Sequence, residues 1–212
     1  MNNKSPPSSF SKIGYFESWN PYTRPCLNMD VTQINKAGEG YTHIHFAFGN
    51  LTTDFQVSVS GVQDQWDKFV KLTGVKRIVA FGGWAFSNEP GTNHIIRNGV
   101  KPANRAKFAA NIVDFVKKNK LDGVDFDWEY PGATDIDGSE PGTPEDGTNY
   151  LEFVKIVKSS LGSGYSVSFA APASFWYLKS FRIKEMAQVV DYIVYMTYDL
   201  HGQWDVGNKW AV

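Results

Sequence analysis

The sequence predicts an α/β protein, and within that class an incomplete (β/α)8 TIM barrel with about six of its eight β/α units. Two observations predict the class: strand and helix patterns alternate six times, and the strands are apolar at most positions, as in parallel sheets covered by helices. A third observation favours a barrel over an open, doubly wound sheet. One strand carries three carboxylates on one face, and the C-terminal rim of a barrel gives such an inward face access to water.

Six short apolar runs are predicted to form the strands. They comprise residues 12–19, 41–48, 75–81, 121–131, 166–172 and 191–198. Apolar residues at helical spacing predict the helices between them. These comprise residues 30–36, capped by Asp30, and residues 62–72, 104–120, 150–161 and 183–189. Residues 131–147 are rich in Pro, Gly, Asp and Thr and predict a long loop, which in a compact domain is usually functional.

Length and composition indicate one domain with no electrostatic preference for nucleic acid or an anionic membrane. The chain has 212 residues and a net charge of −1, and no apolar run reaches the length of a membrane span. Its 15% of aromatic residues suits both an aromatic core and stacking platforms for sugar rings. Residues 1–11 are expected to be disordered, and they lack the apolar stretch of a secretory signal. The single cysteine, Cys26, is expected to be a buried, inert thiol.

The acidic run within residues 121–131 carries the strongest chemical signal. In a strand, Asp125, Asp127 and Glu129 point to one side with neighbouring Cα atoms about 6.6 Å apart. The intervening residues are apolar and point to the other side: Val124, Phe126 and Trp128. Mutual repulsion predicts that at least one carboxyl keeps its proton near neutral pH, as a general acid must. The apolar opposite face argues against a solvated acidic edge, and the lack of a glycine-bearing loop argues against a calcium site.

Other polar residues receive structural interpretations. Asp122, before Gly123, is expected to cap the start of the strand rather than to take part in chemistry. The four histidines lack the spacing of metal ligands and are expected to be structural: His43, His45, His94 and His201. No metal and no cofactor is therefore expected.

The acidic run resembles the Asp-x-x-Asp-x-Asp-x-Glu signature of glycoside hydrolase family 18, the chitinases, at all four acidic positions. Further segments are similar to family motifs and follow in the family's order. They are Gly14-Tyr15-Phe16, His45-Phe46-Ala47-Phe48, Gly82-Gly83-Trp84 and Tyr195-Met196-Thr197-Tyr198-Asp199. The resemblance spans residues 12 to 210 and is closest to fungal members of the class V, killer-toxin-like branch. It implies that residues 12–212 form a partial catalytic domain.

The resemblance implies endo-hydrolysis of β-1,4-linked N-acetylglucosamine polymers by a retaining, substrate-assisted mechanism. Glu129 would act as the acid and the base. Asp127 would orient the substrate's acetamido group and share a proton between Asp125 and Glu129, while Tyr198 and Asp199 would polarise and position that group. The remaining site residues would support the aspartates or line the sugar cleft: Tyr15, Phe46, Trp84, Tyr130 and Met196. Barrel packing is the alternative interpretation of Tyr15 and Phe46, and Trp84 is expected to be exposed at the rim because two glycines precede it.

Two departures from the family pattern are visible. The family usually has a serine where this chain has Ala80, so Asp125 is expected to lose one hydrogen-bond donor. The sequence also stops at Val212, before the family's seventh and eighth strands. We therefore expect a truncated chain that is poorly soluble and catalytically silent by itself.

Three other functions remain open at this stage. An inactive chitinase fragment follows from the missing strands, and a chitin-binding, lectin-like protein is disfavoured because Glu129 is present. An endo-β-N-acetylglucosaminidase shares the acidic motif. The expected partners are chitin or N-acetylglucosamine oligomers, without nucleic acid or membrane, and the complete protein is expected to be an extracellular monomer.

Overall fold

The structure of the protein is a computed structural model that describes residues 10–34 and 40–208. Seven strands lie within these residues: β1 (Ile13–Glu17), β2 (His43–Leu51), β3 (Val57–Ser58), β4 (Lys76–Gly82), β5 (Gly123–Asp127), β6 (Ser166–Pro172) and β7 (Tyr192–Met196). Six of them form a parallel sheet in the order β1-β2-β4-β5-β6-β7, and β3 pairs with β2 in the antiparallel direction. The predicted α/β class and parallel sheet are confirmed.

The sheet curls into part of a barrel, as one contact across its concave face shows. The Tyr192 hydroxyl of β7 lies 2.8 Å from His45 Nε2 of β2. These strands are four steps apart in the sheet, so a flat sheet would hold their backbones about 19 Å apart. Two side chains can bridge that gap only if the strands curve towards each other. The structure is therefore an incomplete TIM barrel rather than an open, doubly wound sheet.

Eight helices and three 3-10 turns connect the strands within the described residues. The helices are α1 (Asn20–Thr23), α2 (Gln63–Phe69), α3 (Trp84–Asn88), α4 (Asn93–Gly99), α5 (Arg105–Lys118), α6 (Asp146–Leu161), α7 (Phe175–Leu178) and α8 (Ile183–Met186). The 3-10 turns are Val31–Gln33, Ser60–Val62 and Gln203–Asp205. The sequence did not predict α1, α3, α4 and α7, because helices of four to seven residues give too few turns for periodicity to show.

Several predicted boundaries differ from the observed ones. The acidic strand, predicted over residues 121–131, ends at Asp127, so Glu129 follows the strand instead of ending it. Helix α6 begins at Asp146 rather than at residue 150, so the loop is displaced towards the N-terminus. The helix expected after Asp30 is the 3-10 turn Val31–Gln33, where the Asp30 side chain accepts a hydrogen bond from the Thr32 amide. Its predicted end at Lys36 lies outside the described residues, as do residues 1–9 of the segment expected to be disordered.

The core lies between the convex face of the sheet and the helices. Val124, Phe126 and Trp128 point into it and are at most 4% exposed, so the apolar face predicted for the acidic strand is confirmed. The Phe126 ring lies 5.1 Å from that of Phe153 in α6, which in turn stacks on Phe108 in α5 at 4.7 Å. Burial of these rings fixes β5 against two helices and leaves its other face directed into the barrel.

The start of β5 is held by an ion pair, as expected for a capping residue. Asp122 Oδ2 accepts hydrogen bonds from the Arg77 amide at 2.8 Å and from Arg77 Nε at 3.3 Å. The expectation for Cys26 was wrong: this thiol lies on an exposed segment after α1, where polar and turn-forming residues offer no core to bury it. Within the described residues, no helix is long and apolar enough to cross a membrane.

Candidate active site

Strand β5 and the two residues that follow it carry three carboxylates that lie at increasing height towards the C-terminal rim. Asp125 is completely buried, Asp127 is 8% exposed, and Glu129, two residues past Asp127, is 9% exposed. The alternation of the strand directs Asp125 and Asp127 into the barrel, because their apolar neighbours Val124 and Phe126 occupy the core side. Asp125 therefore cannot touch a substrate, whereas Asp127 and Glu129 lie at the surface of the rim.

The surroundings of Asp125 favour its ionised form. Tyr15 donates to its Oδ2 and Ser168 to its Oδ1, both at 2.6 Å, and His45 Nδ1 faces Oδ2 at 3.3 Å without hydrogen-bond geometry. Burial acts to raise the pKa of Asp125, but the attraction of His45 and the hydrogen bonds outweigh burial and lower it. Ala80 pairs in register with Asp125 and supplies no hydroxyl, so the serine of β6 acts as a donor.

Asp127 is in the opposite situation. Its Oδ1 is buried and has no hydrogen-bond partner within the described residues. Burial, followed by repulsion from Glu129 and Asp125, raises the pKa of Asp127 well above its ordinary value. Its backbone oxygen accepts the Gly83 amide at 2.7 Å and would lie 2.1 Å from a Cβ at Gly82, so only glycine lets β4 approach so closely. Burial and repulsion thus favour the protonated form of Asp127, whose pKa is raised beside Glu129.

Glu129 has the properties of a group that gains and loses a proton near neutral pH. Burial raises the pKa of Glu129 to about 7, opposed by a hydrogen bond from Tyr130 and reinforced by the charge of Asp199. Its backbone amide donates to Ser87 Oγ of α3 at 3.0 Å. A carboxyl poised near the working pH can serve as a general acid in one step and as a general base in the next.

Two neighbouring clefts lie at the rim and share the lining residues Met196 and Tyr198, and Asp127 lines one of them. The larger has a volume of about 540 Å³ and is lined by Trp84, Tyr130, Pro172, Ala173, Ser174, Tyr177, Met196, Tyr198, Asp199 and Trp204. The smaller, of about 170 Å³, is lined by Tyr15, Glu17, Trp19, Ala47, Phe48, Asp127, Ala170, Val194, Met196 and Tyr198. Aromatic walls with a few carboxylates suit a ligand that has apolar faces and polar edges.

Most residues singled out in the sequence lie at these clefts. Trp84 is 55% exposed at the rim, as expected, and its ring lies 6.4 Å from that of Tyr130. Tyr198 and Asp199 follow β7 and line the larger cleft, with Met196 at its base. Tyr15 both lines the smaller cleft and donates to Asp125, so it does more than pack the barrel.

Phe46 does not lie at the cleft, and that expectation is corrected. Its side chain is fully buried on the convex side of β2, where its ring lies 5.0 Å from those of Trp66 and Phe69 in α2. Alternation along β2 turns its neighbour His45 inwards instead. The histidine that the sequence analysis interpreted as structural is therefore the one that contacts Asp125.

Further residues at the site were not identified from the sequence. Ser168, Ser87, Tyr177 and Trp204 belong to this group, together with His45. Inward alternation along β6 was a usable signal for Ser168, and His45 lies two residues after His43 on a predicted strand. Ser87 and Tyr177 lie on short helices that the sequence did not predict. Across residues 10–34 and 40–208, no group of three or more His, Cys, Asp or Glu side chains could hold a metal ion.

The fold and the site define the class as an incomplete TIM barrel with buried carboxylates beneath an aromatic-walled cleft. The model of the family described as "Glycosyl hydrolases family 18" matches residues 11–210, and the chain belongs to that family.

Its relatives include fungal proteins of much greater length. The chain is 50% identical over 204 residues to "Secreted chitinase LysM12" of Penicillium expansum, covering 95% of this chain but 13% of the relative. It is 43% identical to "Killer toxin subunits alpha/beta" of Kluyveromyces lactis, covering 95% of this chain and 17% of that one. The chain therefore spans less than a fifth of these relatives.

Solved structures show the same architecture. Catalytic domain 2 of the Group II chitinase from Ostrinia furnacalis superposes with a TM-score of 0.78 at 29% identity, covering 92% of this chain and 52% of that chain. A mutant of the same domain, solved in complex with "penta-N-acetylchitooctaose (NAG)5", superposes with a TM-score of 0.76.

Proposed function

We propose that this chain carries the acid–base machinery of a chitinase that cleaves chitin within the polymer. The observation that carries the proposal is the carboxyl of Glu129, buried at the rim with a pKa of about 7. It lies in the chain between Asp127, which lines the smaller cleft, and Tyr130, which lines the larger. A glycosidic oxygen crossing from one cleft to the other would meet a protonated acid.

In the proposed first step, the acetamido oxygen of the sugar at the cleavage point attacks its own anomeric carbon. The bond from that carbon to the glycosidic oxygen breaks, and Glu129 transfers its proton to the departing oxygen. The products are a shortened chain with a free hydroxyl and a sugar closed into an oxazolinium ion. In the second step, ionised Glu129 takes a proton from water, whose oxygen attacks the anomeric carbon and reopens the ring. The second inversion restores the original configuration.

The neighbouring groups support this sequence of events. Protonated Asp127 shares its proton with ionised Glu129 after the first step, and Asp125 remains ionised below it, held by Tyr15 and Ser168. Tyr198 is 61% exposed, so its hydroxyl is accessible to an acetamido group in the cleft. This arrangement uses the substrate as nucleophile, so Asp125, Asp127 and Glu129 all keep other roles.

The proposed substrate is a chitin or N-acetylglucosamine oligomer, and the proposed location is extracellular. The aromatic walls of both clefts suit stacked sugar rings. The relatives' names support both points, since one is a secreted chitinase and one solved neighbour holds an oligosaccharide.

The configuration of the first product tests the proposal. The protein that carries this chain should release the β-anomer first from chitin oligomers and should not cleave cellulose oligomers, which lack the acetamido group. Proton NMR during the first minutes of hydrolysis distinguishes the anomers. An initial α-anomer, or equal cleavage of cellulose oligomers, would refute the substrate-assisted mechanism, and binding without hydrolysis would favour a lectin-like protein.

A further inference from the structure

We propose that Arg97 and Asp146 form a buried pair that positions Glu129 by holding the backbone on both sides of it. The inference rests on the proposed function for its catalytic meaning, but the geometry can be tested without it. Arg97 lies on α4 and Asp146 on the first turn of α6, so neither belongs to the acidic strand. Both side chains are almost completely buried, at 4% and 2% exposure.

Asp146 holds the chain that follows Glu129. Its Oδ2 accepts the Gly132 amide at 3.0 Å and the Thr143 amide at 3.2 Å, and its Oδ1 accepts the Thr143 hydroxyl at 2.9 Å. Gly132 lies three residues after Glu129. One carboxylate therefore holds both ends of the loop that follows the active site, at Gly132 and at Thr143.

Arg97 holds the chain that precedes Glu129. One guanidinium nitrogen forms the ion pair with Asp146, and a second donates to the backbone carbonyl oxygen of Glu140 at 3.3 Å. The guanidinium carbon lies 5.3 Å from the centre of the Trp128 ring. Trp128 is the residue immediately before Glu129 and is 1% exposed. Arg97 thus contacts Trp128, which precedes Glu129, and through Asp146 it also anchors Gly132, which follows Glu129.

The Arg97–Asp146 pair should affect the pKa of Glu129 by keeping its carboxyl buried. Burial is the largest cause of the raised pKa of Glu129, and burial depends on where the backbone places the carboxyl. Loss of the Asp146 charge leaves Arg97 buried without its partner and releases the Gly132 amide. Water then reaches Glu129, so its pKa should fall towards the ordinary value of a glutamate.

The test follows the Glu129 carboxyl directly, by its ¹³C chemical shift as a function of pH, in the full protein that carries this chain, with and without Asp146→Asn. The expected result is a titration midpoint that falls by about one unit in Asp146→Asn. A misplaced acid should also lower kcat by about tenfold or more while KM changes little. Thr143→Val removes one donor to Asp146 from an exposed position, and it should shift the midpoint in the same direction by a smaller amount.

Asp122→Asn is the matched control. Asp122 also accepts a backbone amide and pairs with an arginine, but it lies at the opposite end of β5. It should leave the Glu129 midpoint unchanged. An unchanged midpoint in folded Asp146→Asn would overturn the proposal, and so would an unchanged midpoint in Thr143→Val if Asp146→Asn does not fold. A shifted midpoint in a protein that does not hydrolyse chitin oligomers would uphold the positioning pair and reject the proposed function.

Discussion

Immediately before β5, Asp122 accepts hydrogen bonds from Arg77 and is more than a third exposed. At and just past the far end, Asp127 and Glu129 are buried together, and the charge of Glu129 raises the pKa of Asp127. The residue types are nearly the same and the distance between them is one short strand. Their surroundings differ in the sign of the nearest charge and in access to water. These surroundings make one carboxylate a structural anchor and raise the pKa of the other two.

Among substitutions at the two ends of β5, the largest expected effect is on turnover. Glu129→Gln removes the transferable proton and should reduce hydrolysis of chitin oligomers by a factor on the order of 10² or more. Oligomer affinity, measured by calorimetry, should stay nearly unchanged because the amide has the same shape. Asp122→Asn serves as the control and should retain turnover within about twofold, since a partly exposed ion pair contributes little. Near-normal turnover of Glu129→Gln would show that another group is the acid.

A second expected effect concerns stability and its dependence on pH. The pKa of Glu129 is raised from 4.5 to about 7, so the folded protein holds a proton that the unfolded chain releases. The resulting stabilisation is fully present below about pH 4.5 and is lost as the pH rises through about 7. Glu129→Gln removes this loss and should raise the free energy of unfolding at about pH 8 by about 2 kcal/mol relative to the parent, with little change at about pH 4.5.

Urea unfolding at both pH values measures this difference. Asp122→Asn should show no such gain at alkaline pH. In the parent protein the Asp122 carboxylate is already paired with Arg77, so removing its charge relieves no unfavourable burial. A Glu129→Gln protein that is less stable than its parent at about pH 8 would contradict the raised pKa.

The smallest expected effect concerns Asp125, which lies in β5 between Asp122 and Asp127. Ser168→Ala removes a donor to buried Asp125, and it should lower the free energy of unfolding at neutral pH by about 1.5 kcal/mol. Because the pKa of Asp125 is lowered in the folded protein, the stabilisation is present above the ordinary value of 3.8 and is lost as the pH falls. The effect of Ser168→Ala should therefore shrink in acid.

Ser166→Ala is the matched control for Ser168→Ala. Ser166 lies on the same strand and face, and its hydroxyl bonds no carboxylate within the described residues. Thermal unfolding of both variants gives the comparison, and equal losses in the two would mean that the Asp125 hydrogen bond adds nothing.

The sequence predicted the parts of this molecule that obey a regular period. Alternation along β5 identified both its acidic and its apolar face, and the six parallel strands follow the predicted order. The same alternation places Phe46 and His45 on opposite faces of β2. The sequence resemblance treats the motif as one unit, so it does not show which of the two points into the barrel. Contacts between distant elements, such as Ser87 with Glu129 or Arg97 with Asp146, carry no local period and required the structure.

The sheet places its site residues on strands with different numbers of neighbours. Strand β5, which carries Asp125 and Asp127, is paired on both sides, whereas β1 and β7 are each paired on one side within the described residues. Tyr15 and Met196 lie on those singly paired strands. Backbone amides held from one side open to solvent more often, so hydrogen exchange should be slow at Asp125 and Asp127 and faster at Tyr15 and Met196. Among the described residues, the carboxylates of β5 are therefore the more rigidly held part of the candidate site.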